Sequence, residues 1–112
     1  MKQVNKDKIV LAKILERIEV LEISTANIDQ TSFLTDKMRQ HAVAMAFLYM
    51  GELTNHLSQE FRESAKDIPF ALMKGMRNVI AHEYDVLDFL KIWQTIQEDI
   101  PNLKSKIEEF LK

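Results

Sequence analysis

Apolar residues recur at helical spacing along most of the chain. Leu11, Ile14, Leu15, Ile18 and Leu21 are interleaved with Lys8, Lys13, Glu16, Arg17, Glu19 and Glu22. Steps of three and four put the apolar set on one face, which predicts an amphipathic helix over 4–24. The polar segment 24–30 reads as a connection, after which Thr35 or Asp36 offers a side-chain oxygen to cap a second helix. That helix is expected over 37–61, and its stretch from Ala42 to Met50 is apolar on every side. Such a helix should be buried all round, either by a central position or by giving one face to a partner chain.

Asp67-Ile68-Pro69 predicts a third helix start, with Asp67 as the cap and Pro69 in the first turn, where its missing N–H is not needed. Asp85-Val86-Leu87-Asp88 predicts another capped start, leading through Phe89, Leu90, Ile92, Trp93 and Ile96. Pro101 breaks or restarts that helix, and Leu103, Ile107, Phe110 and Leu111 form a last amphipathic stretch. There is no β-like alternation or internal repeat, so the expected fold is all-α, an antiparallel bundle of four to five helices in a single domain over 1–112.

Composition narrows the function. Apolar residues make up 46% of the chain, and there are only two Gly and two Pro, as expected of long regular elements. The absence of cysteine removes disulfides, a thiolate nucleophile and a Cys-based zinc site. No apolar run approaches the roughly 20 residues of a membrane span, and the first residues lack a signal-like apolar core, so a cytoplasmic protein without membrane contact is expected. The net charge of −2 supplies no broad positive field, so any nucleic-acid contact must be concentrated locally.

The chemistry gathers in Arg77-Asn78-Val79-Ile80-Ala81-His82-Glu83-Tyr84. If 69–83 is one helix, about 100° per residue puts Leu72, Met73, Met76, Val79 and Ile80 on a core face. The opposite face carries Lys74, Asn78 and Ala81, with Arg77 and His82 at its margins, roughly 140° apart. Arg presents a planar fork of donors to phosphate oxygens, and His moves protons near neutral pH. Those are the groups that RNA cleavage by the ribose 2′-hydroxyl requires. One His does not readily serve both sides of an in-line displacement, so a symmetric homodimer with two such faces around one cleft is the expected catalytic unit.

The spacing Arg77-Asn78-x-x-x-His82-x-Tyr84 resembles the Arg-x4-His-x-Tyr motif of HepT-like toxins in the HEPN superfamily. Phe33-Leu34-Thr35-Asp36, Gly51-Glu52, Ile68-Pro69-Phe70, Lys74 to Asn78 and Trp93 to Leu103 also fall in that family's order, with Phe70 where relatives often carry Trp. The resemblance implies a dimeric helical ribonuclease that cleaves RNA without metal or cofactor, partnered by a nucleotidyltransferase antitoxin of the MntA type. It further implies Arg77 and His82 as cleavage residues, Asn78 as their helper and Tyr84 as the hydroxyl that the antitoxin adenylylates. A different class of function stays open beside it, a noncatalytic module that holds a nucleotide or RNA and partners a minimal nucleotidyltransferase.

Other polar residues invite plainer readings. Glu52 follows Gly51 in an apolar helix and needs a partner, so it is expected to bind a motif Arg or cap a neighbour rather than to act catalytically. His56 lies one turn further on, but a third ligand for a metal is missing, and His41 reads as a polar surface residue. Trp93 and the six Met are expected in the core or an interface. Lys6, Lys8 and Lys13, with Lys104 and Lys106, read as solubilising charges.

Overall fold

The computed structural model describes residues 2–112, and the regular secondary structure among them is all helical. Five long helices form the bundle: α1 (Lys2–Thr25), α3 (Lys37–Thr54), α5 (Phe70–Glu83), α6 (Phe89–Glu98) and α7 (Ile100–Leu111). Two short ones, α2 (Gln30–Phe33) and α4 (Gln59–Ser64), lie in the connections, and a 3-10 turn (Tyr84–Val86) extends α5. The all-α bundle is thus the one the periodicity predicts.

The first helix behaves as its pattern requires, with Leu11, Ile14, Ile18 and Leu21 fully buried. It ends where Asn27 takes a positive φ of 61°, a left-handed conformation that Asn tolerates and that closes helix C-termini. The polar connection then makes one short turn of its own, α2, capped by the Asp29 carboxylate on Ser32 N–H. That turn buries Phe33 beneath Phe89 and Trp93, whose ring centroids lie 6.2 Å and 5.3 Å away. Of the two offered caps for α3, Asp36 is the one used, accepting from Arg39 N–H at 3.1 Å.

The third helix is shorter than its apolar pattern suggests, because the chain turns at 55–58 and restarts as α4. Ser58 accepts from Phe61 N–H, and Ser58 itself is held from α1: its N–H and hydroxyl both donate to the buried Asp7 carboxylate at 2.8 Å. The break is therefore a tertiary contact across 51 residues, invisible to local periodicity.

Helix α3 is central as expected, packed between α1 and α5. It is not buried all round, however: Met45 is 63% exposed and Tyr49 47% exposed. A helix between two neighbours covers two flanks and leaves an outer ridge, which no apolar count can reveal.

Asp67 does not cap α5. The helix starts at Phe70 after Pro69 with no side-chain cap, while the Asp67 carbonyl accepts from Lys106 Nζ. Asp88 does cap α6, accepting from Lys91 N–H, and Pro101 sits in the first turn of α7, so it restarts a helix rather than ending one. Ile100, Leu103 and Ile107 then close the core against α1, and Lys104 pairs with Glu22 at 3.0 Å on the rim.

Candidate active site

Gly51 decides how α5 lies on α3. A Cβ built at Gly51 would stand 2.2 Å from Arg77 Cβ and 2.8 Å from the Met73 carbonyl oxygen, so only a residue without a side chain allows this approach. Met73 and Ile80 are buried in the resulting seam. Arg77, on the same flank, is carried to the edge of α3, where its Nε donates to the carboxylate of Glu52 and Nη1 to Asn78 Oδ1.

An open polar pocket of about 320 Å³ surrounds this group, lined by Gly51, Glu52, Asn55, Lys74, Arg77 and Asn78. Two cations and the carboxamide of Asn78 therefore face one space next to a single carboxylate. The pair of Glu52 and Arg77 is partly exposed, at 42% and 34% of their side chains. It orients the guanidinium and leaves its outer N–H groups toward the pocket, where an anionic oxygen could accept from them.

His82 does not line that pocket. Five residues beyond Arg77, it lies about 7.5 Å further along the axis and roughly 140° around it, exposed in the last turn of α5. Within one protomer the structure thus joins Arg77, Asn78, Lys74 and Glu52 and leaves His82 apart. Ala81 is exposed beside it, as the polar face requires.

The expected core face of α5 is only partly core. Val79 is 45% exposed, and with Leu72, Gly75 and Met76 it walls an open apolar groove of about 410 Å³ whose other side is Leu87, Lys91 and Ile92. Helix α6 stands off from α5 there, and the projection of one helix cannot say how near its neighbour comes.

Tyr84 follows the helix in the 3-10 turn and is half-buried. Its ring stacks on His41 of α3, with centroids 5.3 Å apart and planes 16° from parallel, and its hydroxyl is hydrogen-bonded to His41 Nδ1. Burial raises the phenol above its ordinary pKa, and the neighbouring Asp85 carboxylate raises it further. His41 is the site-forming residue that sequence reasoning missed, reading it as an isolated surface polar group. The two residues are 43 positions apart, so no local spacing links them. Lys74 was legible as a polar-face residue, though its place beside Arg77 was not. Among the described residues, no three His, Asp or Glu side chains come together as a metal set.

The family model described as ribonuclease HepT-like matches residues 14–110, from the first core turns of α1 nearly to the end of α7. The chain belongs to this HEPN family. It is 38% identical over 112 residues to "Probable ribonuclease HepT" of Thermococcus cleftensis, covering 100% of both chains. It is 33% identical over 101 residues to "Putative RNase MJ1380" of Methanocaldococcus jannaschii, covering 90% of this chain and 93% of that protein. No solved structure matches the chain. Membership of the HepT-like family agrees with an all-α bundle that carries the motif on α5 and its following turn. It also places Gly51 and Glu52, which stand opposite the motif Arg, inside the matched region. No helix among the described residues is long and apolar enough to cross a membrane.

Proposed function

We propose that this HepT-like chain is the toxin of a toxin–antitoxin pair, an RNA endonuclease that acts as a homodimer without metal and is silenced by adenylylation of Tyr84. The observation that carries the reading is the open pocket in which Glu52 holds Arg77 beside Lys74 and Asn78, with His82 on the same helix. In this mechanism the scissile phosphate sits at Arg77, which with Lys74 offsets the charge that grows on phosphorus-bound oxygen. Asn78 orients the guanidinium. The ribose 2′-oxygen attacks phosphorus and gives up its proton, the bond to the 5′-oxygen breaks, and that oxygen takes a proton in turn. A histidine moves each proton, which calls for two.

The separation of His82 from the Arg77 pocket supports a dimer, since a second chain can present its own His82 where the first one's does not reach. The half-open apolar groove beside Val79 is surface available for that contact. Arg77 and the proton-transfer residues supply the charges that the reaction needs, which supports a metal-independent route.

Silencing has a matching geometry. A cognate MntA-type nucleotidyltransferase would bring a nucleoside triphosphate to the Tyr84 hydroxyl, whose oxygen bonds the α-phosphorus as pyrophosphate leaves. His41, in the tautomer with its proton on Nε2, accepts the phenolic proton at Nδ1. The added phosphate and nucleoside then lie two residues from His82 and compete with RNA for its cations.

The test is cleavage of RNA by the purified chain and by His82→Ala. Loss of a general acid–base group lowers the rate by about 10²- to 10⁴-fold, and the variant should also lose any arrest of growth on expression. A variant that cuts RNA as fast as its parent refutes the reading. The competing reading, a noncatalytic nucleotide- or RNA-binding module, is favoured by one observation, the engagement of Arg77 by Glu52, and it predicts no cleavage by the parent at all.

A further inference from the structure

A second cationic surface lies on the other flank of α3, in a groove of about 540 Å³ between α1 and α3 lined by Lys6, Ile9, Val10, Lys13, Tyr49, Leu53 and His56. Two lysines and a histidine face it, and among the described residues no carboxylate lines it. The guanidinium of Arg17, one turn beyond Lys13, lies over the Tyr49 ring at 5.5 Å from its centroid and pairs with Glu16 at 3.7 Å outside the groove lining. In a chain whose net charge is −2, this is a local concentration of positive charge with an aromatic platform inside it. Read along the sequence, Lys6 and Lys13 were solubilising charges among acids; the fold turns both to one groove.

We propose that this groove is a subsite for single-stranded RNA, holding the strand that enters the Arg77 pocket. The proposal rests on the ribonuclease reading and adds a binding site to it. Lys6, Lys13 and His56 provide donors to backbone phosphates, and the exposed Tyr49 ring beside the Arg17 guanidinium offers an aromatic face to a base. Stacking of this kind is indifferent to sequence, and an aromatic plane set among cations suits a strand that alternates bases with phosphates. The groove and the pocket share a helix: Tyr49 and Glu52 lie one turn apart on α3, with His56 in the turn that follows it, and Glu52 holds Arg77. A strand therefore has to cross only the exposed ridge of one helix, about 10 Å wide, to pass from one to the other.

The experiment is fluorescence anisotropy with a short 5′-labelled 2′-O-methyl oligouridine, which binds and cannot be cut through its 2′-oxygen, over a series of salt concentrations. The Lys6→Ala/Lys13→Ala double variant should bind more weakly and lower the slope of log affinity against log salt by about 1.4, roughly 0.7 for each lost phosphate contact on a single strand. Tyr49→Leu keeps the apolar body, removes the stack and should weaken binding about fivefold or more with the salt slope unchanged. If the double variant binds with its parent's affinity and slope, the subsite is overturned and the cations are left to an acidic protein partner. A parent that binds RNA through Lys6 and Lys13 but cuts none would remove the catalytic reading and leave the subsite standing.

Discussion

Gly51 and Arg77 meet where α3 and α5 come closest, with the two backbones so near that a methyl group at Gly51 would overlap the Arg77 side chain at 2.2 Å. The contact sets the depth of the seam and, through it, the point at which the Arg77 guanidinium leaves α5 to reach Glu52.

Gly51→Ala should therefore destabilise the fold by about 2 kcal/mol, within the usual cost of overpacking a core, and lower RNA cleavage as Arg77 is displaced. Gly75→Ala is the internal contrast: nothing lies within 4 Å of a Cβ there. It should stabilise the helix by about 0.5–1 kcal/mol through the better helix propensity of Ala. Urea unfolding of both variants measures the opposite signs. A Gly51→Ala midpoint equal to the parent's would contradict the packing account.

In the proposed mechanism Glu52 acts through Arg77, whose Nε it holds, rather than on RNA. Replacing it by Gln keeps the shape, weakens the hold on Nε and should reduce kcat by about tenfold to a hundredfold, the size of effect that a small misplacement of a catalytic group produces. The pair is partly exposed, so unfolding stability should change by less than about 1 kcal/mol. Steady-state cleavage kinetics beside a denaturation curve separate the two. A large loss of stability with unchanged kcat would make Glu52 a structural residue only.

Tyr84 should ionise late. With Tyr49→Phe as background it is the last of the chain's two tyrosines, and phenolate absorbance should give a midpoint above the ordinary 10.0. Asp85→Asn should bring the midpoint down, since the carboxylate adds to the effect of burial. The sign follows from linkage: a folded pKa raised above the unfolded one contributes stability below pH 10.0 that is lost as pH climbs through the folded value. His41→Phe keeps an aromatic face but removes the acceptor, and it should slow modification of Tyr84 by a phenol-directed acylating reagent relative to Tyr49, read by peptide mass. Equal rates in parent and variant would show that His41 does not activate the hydroxyl.

Much of this protein is written in local order along the chain. The steps of three and four in α1, α6 and α7, the caps at Asp36 and Asp88, and the restart at Pro101 are short-range effects. At the two caps a carboxylate accepts from a backbone N–H three residues on, and Pro101 stands in the first turn of α7. The polar face of α5 was legible for the same reason, because helical geometry alone separates Asn78 and Ala81 from Met73 and Ile80. The expectation that Glu52 would find a motif Arg came from the cost of leaving a carboxylate unpartnered in an apolar helix, and Arg77 is that partner.

Only tertiary structure decided the rest. The end of α3 depends on Asp7 reaching Ser58, the partner of Tyr84 is a histidine on another helix, and Lys6 and Lys13 share a groove only because α1 lies along α3. Val79 is open to solvent because α6 stands away from α5. Periodicity reports which face of a helix is apolar, a property of neighbours within one or two turns. It carries no information on the distance or rotation of the next helix. Those are set by packing, and at this site by a single glycine that lets one backbone approach another closely enough for Glu52 to hold Arg77.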